Sequence, residues 1–437
     1  MGRGNGQKRR FSAGTKFMLG LLVIVLCGSA VVLGRLSSGA TVDLGKLQMS
    51  ILDLQETFAP VTEPRTSETR QAEQQNMTQP ATVTAKPERG NEPVPETANA
   101  SYTLTVGGSI SLSGEVRKNS WNADAKMTDY SDVMMLLAPH VKSDVSCVFL
   151  ENVLSDEHKA NDYVSPVSAA SLLKEAGFGM AACGFSQAYT AGKSGIDATV
   201  NALSDQQIRA IGIGSREDET FATLDTGHVK TAFLQYTAGV PAKTRKSMAK
   251  DGTDALIPEA EITRITNDIV SARSQGAEAV IVLLNWGKTG KDPDKTQKEL
   301  AEGIAMAGAD LIIGNGSHIP QKAEYITGPN GKNILCVWGL GSLLCGDRAN
   351  IKRISGYLLH VTVRSDGQGG VDILHPEYTP VYTWKYKQDG RYYYHCIASN
   401  SGIPDGMDSE QRKNTAKSLE TVTDVLLGSP VTERRTE

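Results

Sequence analysis

The sequence lacks the features that mark several functional classes. Basic and acidic residues nearly balance, 45 against 49, so the composition gives no reason to expect the clustered basic surface that nucleic-acid binding needs. None of the 6 cysteines forms a C-x-x-C pair, which argues against a zinc cluster or a disulfide framework. A G-x-S-x-G elbow, a P-loop and an H-E-x-x-H motif are also absent. We therefore expect no nucleic-acid partner and none of these motif-defined active sites.

Aromatic residues are few, at 6%, whereas glycine is frequent, at 43 residues. This composition is consistent with an α/β domain that has many strand–loop corners. A chain of 437 residues is long enough for one large domain or two ordinary ones, with accessory segments. Because Cys147, Cys183 and Cys336 lie in or beside apolar runs, we predict that they are small buried residues.

The N-terminal segment is predicted to anchor the chain in the cell membrane. Residues 1–16 carry only basic charge, and the uncharged run Phe17–Gly34 reaches most of the way across a hydrocarbon core of about 30 Å. A cleaved signal peptide and a lipoprotein signal are alternatives, but the run is long for the former and bulky Leu26 precedes Cys27. We expect a single-pass anchor with residues 1–16 in the cytoplasm and the C-terminal domain outside.

Residues 35–100 are predicted to link this anchor to the folded part. Val42–Phe58 has apolar residues at helical spacing and could form a juxtamembrane helix. Ala59–Ala100 is rich in Pro, Thr, Glu and Gln and has almost no large apolar residue. Such a segment cannot bury enough surface to offset its ordering entropy, so we expect a disordered tether.

A strand–helix–strand pattern at Val280–Gln321 organises the rest of the chain. Apolar runs at Val280–Leu284 and Leu311–Ile313 flank a segment whose apolar residues recur at helical spacing. Other strand-like and helical segments alternate along the chain, which predicts an α/β fold. Both runs end in polar, glycine-rich tips, and α/β folds bind ligands at such strand ends.

The C-terminal residues 387–437 are predicted to complete a hairpin and then form an amphipathic helix. The hairpin would turn at Asp389-Gly390, and Met407–Leu427 would be a helix capped by Asp408 or Ser409. The hairpin is rich in aromatic residues, for which a glycan-stacking platform is the alternative to ordinary packing.

Several stretches resemble the CapA-type poly-γ-glutamate capsule synthesis proteins. They are LTVGGSISLSG, VFLENVL, the Gly184–Leu203 loop and helix, the Val280–Gln321 region, VWGLGSLL and TPVYTW. The most specific parts are Ala307–Gly314 and the Trp286-Gly287 pair. The resemblance implies a calcineurin-like metallophosphatase fold over residues 101–386, an αββα sandwich. It also implies a role outside the membrane in capsule or cell-envelope polymer synthesis.

The resemblance further implies metal-ligand positions, and most of them carry other residues here. The first strand ends in Gly108-Ser109 where the family has Gly-Asp, and Asn285 and Asn315 stand at family histidine positions. Only Glu151 and His318 retain the family residue types. We assign a candidate binding pocket to Glu151, Gln187, Asn285, Trp286, Asn315 and His318.

A two-metal hydrolytic centre needs several converging carboxylate and imidazole ligands. Glu151 and His318 alone could hold one labile divalent ion but not a closed dinuclear centre. We therefore expect no catalytic residue and no cofactor, with a single divalent metal at these two residues as the alternative. Asp156 and His158 could supply replacement ligands, although solvated loop charges are the simpler interpretation.

These expectations predict a non-catalytic or weakly catalytic binding factor, attached to the membrane by its N-terminal helix. Its partner would be an anionic envelope polymer or the machinery that makes it. One alternative is a metal-dependent hydrolase or transferase acting on poly-γ-glutamate, peptidoglycan or phosphoesters. Another is a structural partner of a membrane complex.

Overall fold

A computed structural model describes residues 100–122, 126–214, 221–253 and 256–434. The predicted anchor at Phe17–Gly34 and the predicted linker at residues 35–100, except Ala100 itself, lie outside the described residues. Among the residues that are described, none of the helices combines the length and the apolar character needed to cross a membrane.

The described residues form helices and strands in alternation. The helices are α1 (Gly114–Asn119), α2 (Ala138–Val141), α3 (Ala170–Glu175), α4 (Gly192–Asp205), α5 (Ala242–Asp251), α6 (Ile262–Ser274), α7 (Lys295–Ala307) and α8 (Ser409–Leu426). The strands are β1 (Ser101–Ile110), β2 (Trp121–Asn122), β3 (Met127–Thr128), β4 (Val145–Leu150), β5 (Val153–Leu154), β6 (Val164–Ser165), β7 (Met180–Ala182), β8 (Arg209–Ile211), β9 (Ala222–Asp225), β10 (Lys230–Thr237), β11 (Ala279–Asn285), β12 (Leu311–Asn315), β13 (Ala323–Thr327), β14 (Asn333–Val337), β15 (Ser342–Leu344), β16 (Ser355–Ser365), β17 (Val371–Gln388), β18 (Arg391–Ala398) and β19 (Thr432–Glu433).

Two sheets contain most of these strands. The larger runs β18-β17-β16-β1-β4-β7-β8, with β15 beside β1 and β19 beside β17, and the smaller runs β13-β14-β12-β11-β10-β9. In the smaller sheet β10, β11 and β12 are parallel, with Thr237 opposite Asn285 and Asn285 opposite Asn315. In the larger sheet β1 and β4 are parallel, with Ile110 opposite Leu150. The carboxyl ends of neighbouring parallel strands therefore meet at one edge of each sheet.

The two sheets pack face to face through apolar side chains. Phe149 of β4 and Leu283 of β11 belong to the buried cluster between them. The next residues along each strand face outward, because side chains alternate along a strand. Val148 packs in a cluster with residues of α3 and α4, and Val282 packs with residues of α6 and α7. The layers thus run helix, sheet, sheet, helix, and the predicted α/β fold is confirmed.

The strand–helix–strand unit predicted at Val280–Gln321 is present as β11, α7 and β12. Asp294 caps α7 by accepting a hydrogen bond from Gln297 N, and the Gln297 side chain bonds back to Asp294 N. Such a capping box contributes on the order of 1 kcal/mol. The helix ends at Gly308, whose φ of +100° suits glycine. Cys147, Cys183 and Cys336 are free and buried, as predicted.

The C-terminal segment continues the larger sheet. Strand β17 runs to Gln388, past the domain boundary predicted at residue 386, and pairs with β18. The hairpin turns at Asp389-Gly390, where both residues have positive φ, as the sequence predicted. Asp408 caps α8. Several predicted bounds differ from the structure by a few residues.

The aromatic side chains of this hairpin stack on one another. Ring centroids lie 4.5 Å apart for Trp384 and Tyr386, and 5.3 Å apart for Tyr386 and Tyr393. The Arg391 guanidinium lies over the Tyr393 ring at 5.8 Å. These contacts show that aromatic side chains of the hairpin pack on one another, as the ordinary-packing interpretation expects.

Candidate functional site

The ends of four strands bring polar side chains together at the edge where the parallel strands terminate. Ser109 lies on β1 and Glu151 directly follows β4, both in the larger sheet. Asn285 and Asn315 are the last residues of β11 and β12 in the smaller sheet, and His318 follows β12. We refer to these five residues as the strand-tip cluster.

Hydrogen bonds join the strand-tip cluster across the two sheets. Glu151 Oε1 accepts from Ser109 Oγ at 2.9 Å and from Asn285 Nδ2 at 3.0 Å. Asn315 Nδ2 donates to Ser109 Oγ at 2.7 Å. His318 Nε2 lies 3.3 Å from Glu151 Oε2. The Glu151 carboxylate is therefore held by groups from both sheets.

Most of the cluster is closed to solvent. Ser109 and Asn315 are fully buried, and Glu151 and Asn285 are each 7% exposed. The His318 side chain is 21% exposed and is the most accessible member. Asn315 Oδ1 is buried and has no hydrogen-bond partner among the described residues. Leaving such an acceptor unpaired costs about 1–3 kcal/mol, so the cluster is not a fully satisfied core network.

The backbone at these strand tips is tightly packed. A Cβ atom on Gly108 would lie 2.2 Å from Gly341 O, and one on Gly316 would lie 2.7 Å from Trp286 O. Larger residues at these positions would push the tips apart. His318 itself has a φ of +55°, in the left-handed region that is uncommon outside glycine. Backbone strain of this kind concentrates at functional sites.

Trp286 is turned away from the cluster. It is 2% exposed and its ring stacks on Trp338, with centroids 5.4 Å apart. Its Nε1 atom donates to Trp338 O at 3.0 Å. The ring of the predicted pocket residue Trp286 therefore packs on Trp338 in the outer apolar layer.

Gln187 follows β7 of the larger sheet. It belongs to the turn at 186–190, where its carbonyl accepts from Thr190 N at 3.0 Å, and within the described ranges its side chain has no hydrogen bond to the strand-tip cluster. Gln235 of β10 instead contacts this loop, since its amide donates to Gly184 O and accepts from Gly184 N, both at 2.8 Å.

Sequence reasoning did not assign Ser109 to the strand-tip cluster, and it did not predict the contact of Gln235 with Gly184. Ser109 could have been included from its position, because it stands where the resembling family carries an aspartate. Gln235 has no comparable signal, since it is an interior residue of an apolar strand.

Asp347 and Arg353 lie beside the cluster, after β15. A hydrogen bond from Ala349 N lowers the pKa of Asp347, and Arg353, with Nη2 at 3.0 Å, and His318 lower that pKa further. Arg353 Nη1 is buried without a partner among the described residues. His318 is therefore close enough to Asp347 to stabilise its carboxylate.

The donor set does not fit the two-metal centre that the resemblance implies. Glu151 Oε1 is already occupied by Ser109 and Asn285, and both donate hydrogen atoms rather than offering lone pairs. Across residues 100–434, apart from the three internal gaps, no three His, Cys, Asp or Glu side chains are grouped to hold a metal ion. A pair of divalent cations needs several such ligands.

The loop residues considered as replacement ligands have local roles. Asp156 Oδ1 accepts from Val167 N at 3.1 Å, and His158 Nδ1 contacts Ser155 Oγ at 2.9 Å. These contacts fix the loop after β5 and do not complete the strand-tip cluster.

Fold and site together define an α/β sandwich of two sheets with a buried polar cluster at its strand tips. The model of the bacterial capsule synthesis protein family, PGA_cap, matches residues 103–347, and the chain belongs to this family. The predicted resemblance is thereby confirmed.

Two relatives carry related names. The capsule biosynthesis protein CapA of Bacillus anthracis is 23% identical over 296 residues, which cover 64% of this chain and 69% of that protein. The PGA biosynthesis protein CapA of Bacillus subtilis (strain 168) is 23% identical over 158 residues, covering 36% and 41% respectively.

Two solved structures share a weak overall likeness. A hypothetical protein from Thermus thermophilus has a TM-score of 0.38 at 12% identity, covering 64% of this chain and 99% of that one. The calcineurin-like phosphoesterase YfkN from Bacillus subtilis has a TM-score of 0.37 at 10% identity, covering 75% and 99%.

Proposed function

We propose that this chain is a membrane-anchored, extracytoplasmic protein that acts in capsule or cell-envelope polymer synthesis as a binding or assembly factor. Membership of the capsule synthesis family and the names of the two relatives support the polymer role. One observation supports a function without hydrolysis: Ser109 and Asn285 both donate hydrogen bonds to Glu151 Oε1. Protein donors thus occupy one of the two carboxylate oxygens that a metal centre would use.

The proposed partners follow from this role. They are an anionic envelope polymer or its synthesis machinery, and the membrane through Phe17–Gly34. The proposed function involves neither a nucleic acid nor a resident cofactor.

Metal content and activity of the purified full chain test this function. After dialysis we expect far less than one equivalent of manganese or zinc by mass spectrometry, no hydrolysis of poly-γ-glutamate or of a chromogenic phosphoester, and retained binding of poly-γ-glutamate. Two tightly held metal equivalents together with turnover would overturn the proposal.

One observation favours the alternative, a hydrolase or transferase with a single divalent metal. His318 keeps a partly exposed imidazole 3.3 Å from Glu151, in a left-handed backbone conformation. In that case Glu151→Gln combined with His318→Asn should abolish metal uptake and activity, whereas His228→Asn, at an exposed histidine, should not. Equal activity of the double variant and the parent would eliminate this alternative.

A further inference from the structure

Two consecutive connections of the smaller sheet leave from the edge that carries the strand-tip cluster. Helix α5 follows β10, and the loop at 286–294 follows β11. Because Thr237, the last residue of β10, lies opposite Asn285, both connections start beside the cluster. The first residues of both connections therefore lie at the same edge of the smaller sheet.

Helix α5 carries a row of lysines on its exposed side. Lys243, Lys246 and Lys250 are exposed and follow a spacing of three and four residues, which places them on one face. With a rise of about 1.5 Å per residue, the row is about 10 Å long. Met248 points the other way and is buried. The buried methionine fixes which face of α5 is presented to solvent.

The loop after β11 adds Lys288 and Lys291, which are both exposed. The loop is pinned to the segment that holds His318. Gly290 N donates to Ser317 O, and Gln321 Nε2 donates to Lys291 O, each at 2.8 Å. These two lysines are therefore held close to the accessible member of the cluster.

None of these five lysines has a salt-bridge or side-chain hydrogen-bond partner within the described residues. Three neighbouring acids are engaged elsewhere, whereas Asp292 is exposed beside Lys291 in the same loop. Glu259 pairs with Arg245 at 2.7 Å, Asp251 accepts from Tyr189 at 2.9 Å, and Asp294 caps α7. We name Lys243, Lys246, Lys250, Lys288 and Lys291 the lysine rim.

We propose that the lysine rim is the contact surface for a flexible polyanion, which passes across this edge beside the strand-tip cluster. The inference rests on the proposed function and adds where the polymer binds. Exposed lysines are compact, strongly hydrated charges, so they suit a chain of repeated carboxylates without fixed geometry. Each contact contributes below about 1 kcal/mol and is screened by salt, so affinity arises from several lysines together.

An anionic lipid surface would use similar charges but requires different neighbours. Interfacial helices place large apolar or aromatic residues beside their lysines. On α5 the residues between the lysines include the exposed Ser247 and Ala249, which offer nothing to insert. The composition of this face therefore favours a soluble polymer chain.

A charge-matched pair of variants tests the lysine rim. The rim variant combines Lys243→Gln, Lys246→Gln and Lys250→Gln. The control combines Lys118→Gln, Lys413→Gln and Lys417→Gln, at exposed lysines of α1 and α8. Full-length protein in detergent is titrated against fluorescent poly-γ-glutamate at low and at physiological salt. We expect about a tenfold weaker Kd and a flatter salt dependence for the rim variant, and a change within about twofold for the control.

Each other outcome has a distinct meaning. Equal losses in both variants would show that only net charge matters and would overturn the rim as a specific surface. A rim variant that binds the polymer normally would overturn the lysine rim as a polymer-binding surface. If that variant also no longer binds phosphatidylglycerol vesicles, the surface is a membrane contact. A parent protein that does not bind poly-γ-glutamate at all would instead overturn the proposed function. Unchanged thermal midpoints confirm that the variants are folded.

Discussion

Asn285 Nδ2 lies 3.0 Å from Glu151 Oε1, and this hydrogen bond joins the smaller sheet to the larger one. Ser109 bonds the same oxygen from within the larger sheet. Hydrogen bonds to an ionised carboxylate are stronger than those between neutral groups, and burial strengthens them further. Glu151 is thus expected to hold the strand tips of the two sheets together, whatever the site binds.

Removing the Glu151 carboxylate should destabilise the fold. Glu151→Ala leaves the donors of Ser109 and Asn285 without an acceptor, and we expect a loss of about 2–4 kcal/mol in the free energy of unfolding, measured in urea. Glu151→Gln keeps an acceptor oxygen and should lose less. The exposed Glu157 provides a control, because Glu157→Ala should change stability by no more than about 0.5 kcal/mol. Similar values for both alanine variants would show that the bonds at Glu151 contribute little.

Gly108 is predicted to tolerate no side chain. The added methyl of Gly108→Ala would lie 2.2 Å from the carbonyl oxygen of Gly341, and a backbone atom cannot rotate away. We expect a loss of about 3 kcal/mol or more, measured by urea unfolding. Gly179→Ala is the matched control, since its nearest contact would be 3.9 Å away. A Gly108 variant as stable as the Gly179 variant would mean that β1 and the turn before β15 can separate at little cost.

The sequence alone predicts the location of a site residue when that residue lies at the end of a strand. Glu151, Asn285 and Asn315 each end or directly follow an apolar run, so their common edge could be predicted from the topology of parallel strands. Trp286 is one residue beyond Asn285, and side chains alternate, so it points into the outer layer against Trp338. The sequence alone does not show that the strand-like alternation of side chains extends one residue beyond the end of β11.

Gln187 and Gln235 show a second limit. The loop from Gly184 to Thr190 has no periodic pattern, so its aligned position could not place the Gln187 side chain. Gln235 reaches the same loop from the other sheet, a tertiary contact that no local pattern predicts. Ligand binding by Glu151, Asn285, Asn315 and His318 stays a prediction.

His360 should make the protein less stable in mild acid. Burial, with Arg434 Nη1 3.0 Å from its Nδ1, lowers the pKa of His360 to about 3, whereas an unfolded histidine has a pKa of about 6.5. Between these values the unfolded chain binds the extra proton. Stability therefore falls as the pH decreases, by up to about 1.4 kcal/mol per pH unit for this group.

The variant His360→Gln isolates this effect. Urea unfolding at several pH values between 6.5 and 4.5 should show a shallower slope than in the parent, even if the variant is less stable throughout. Burial also lowers the pKa of His395 and of His140, so part of the slope should remain. The exposed His228 is the control, because His228→Gln should keep the parent slope. An unchanged slope in His360→Gln would show that His360 is protonated at similar pH in both states.

The apolar run Phe17–Gly34 is predicted to be an uncleaved anchor. The native chain should then remain in the membrane fraction after an alkaline wash and keep its N-terminal residues, as peptide mapping can show. Replacing residues 1–35 by a cleavable signal peptide should release the domain outside the cell. Exchanging Phe17–Gly34 for an unrelated anchor should preserve polymer production if the segment only tethers the domain. Loss of production in that exchange would indicate a specific membrane partner, and a native chain found soluble with a trimmed N-terminus would contradict the anchor.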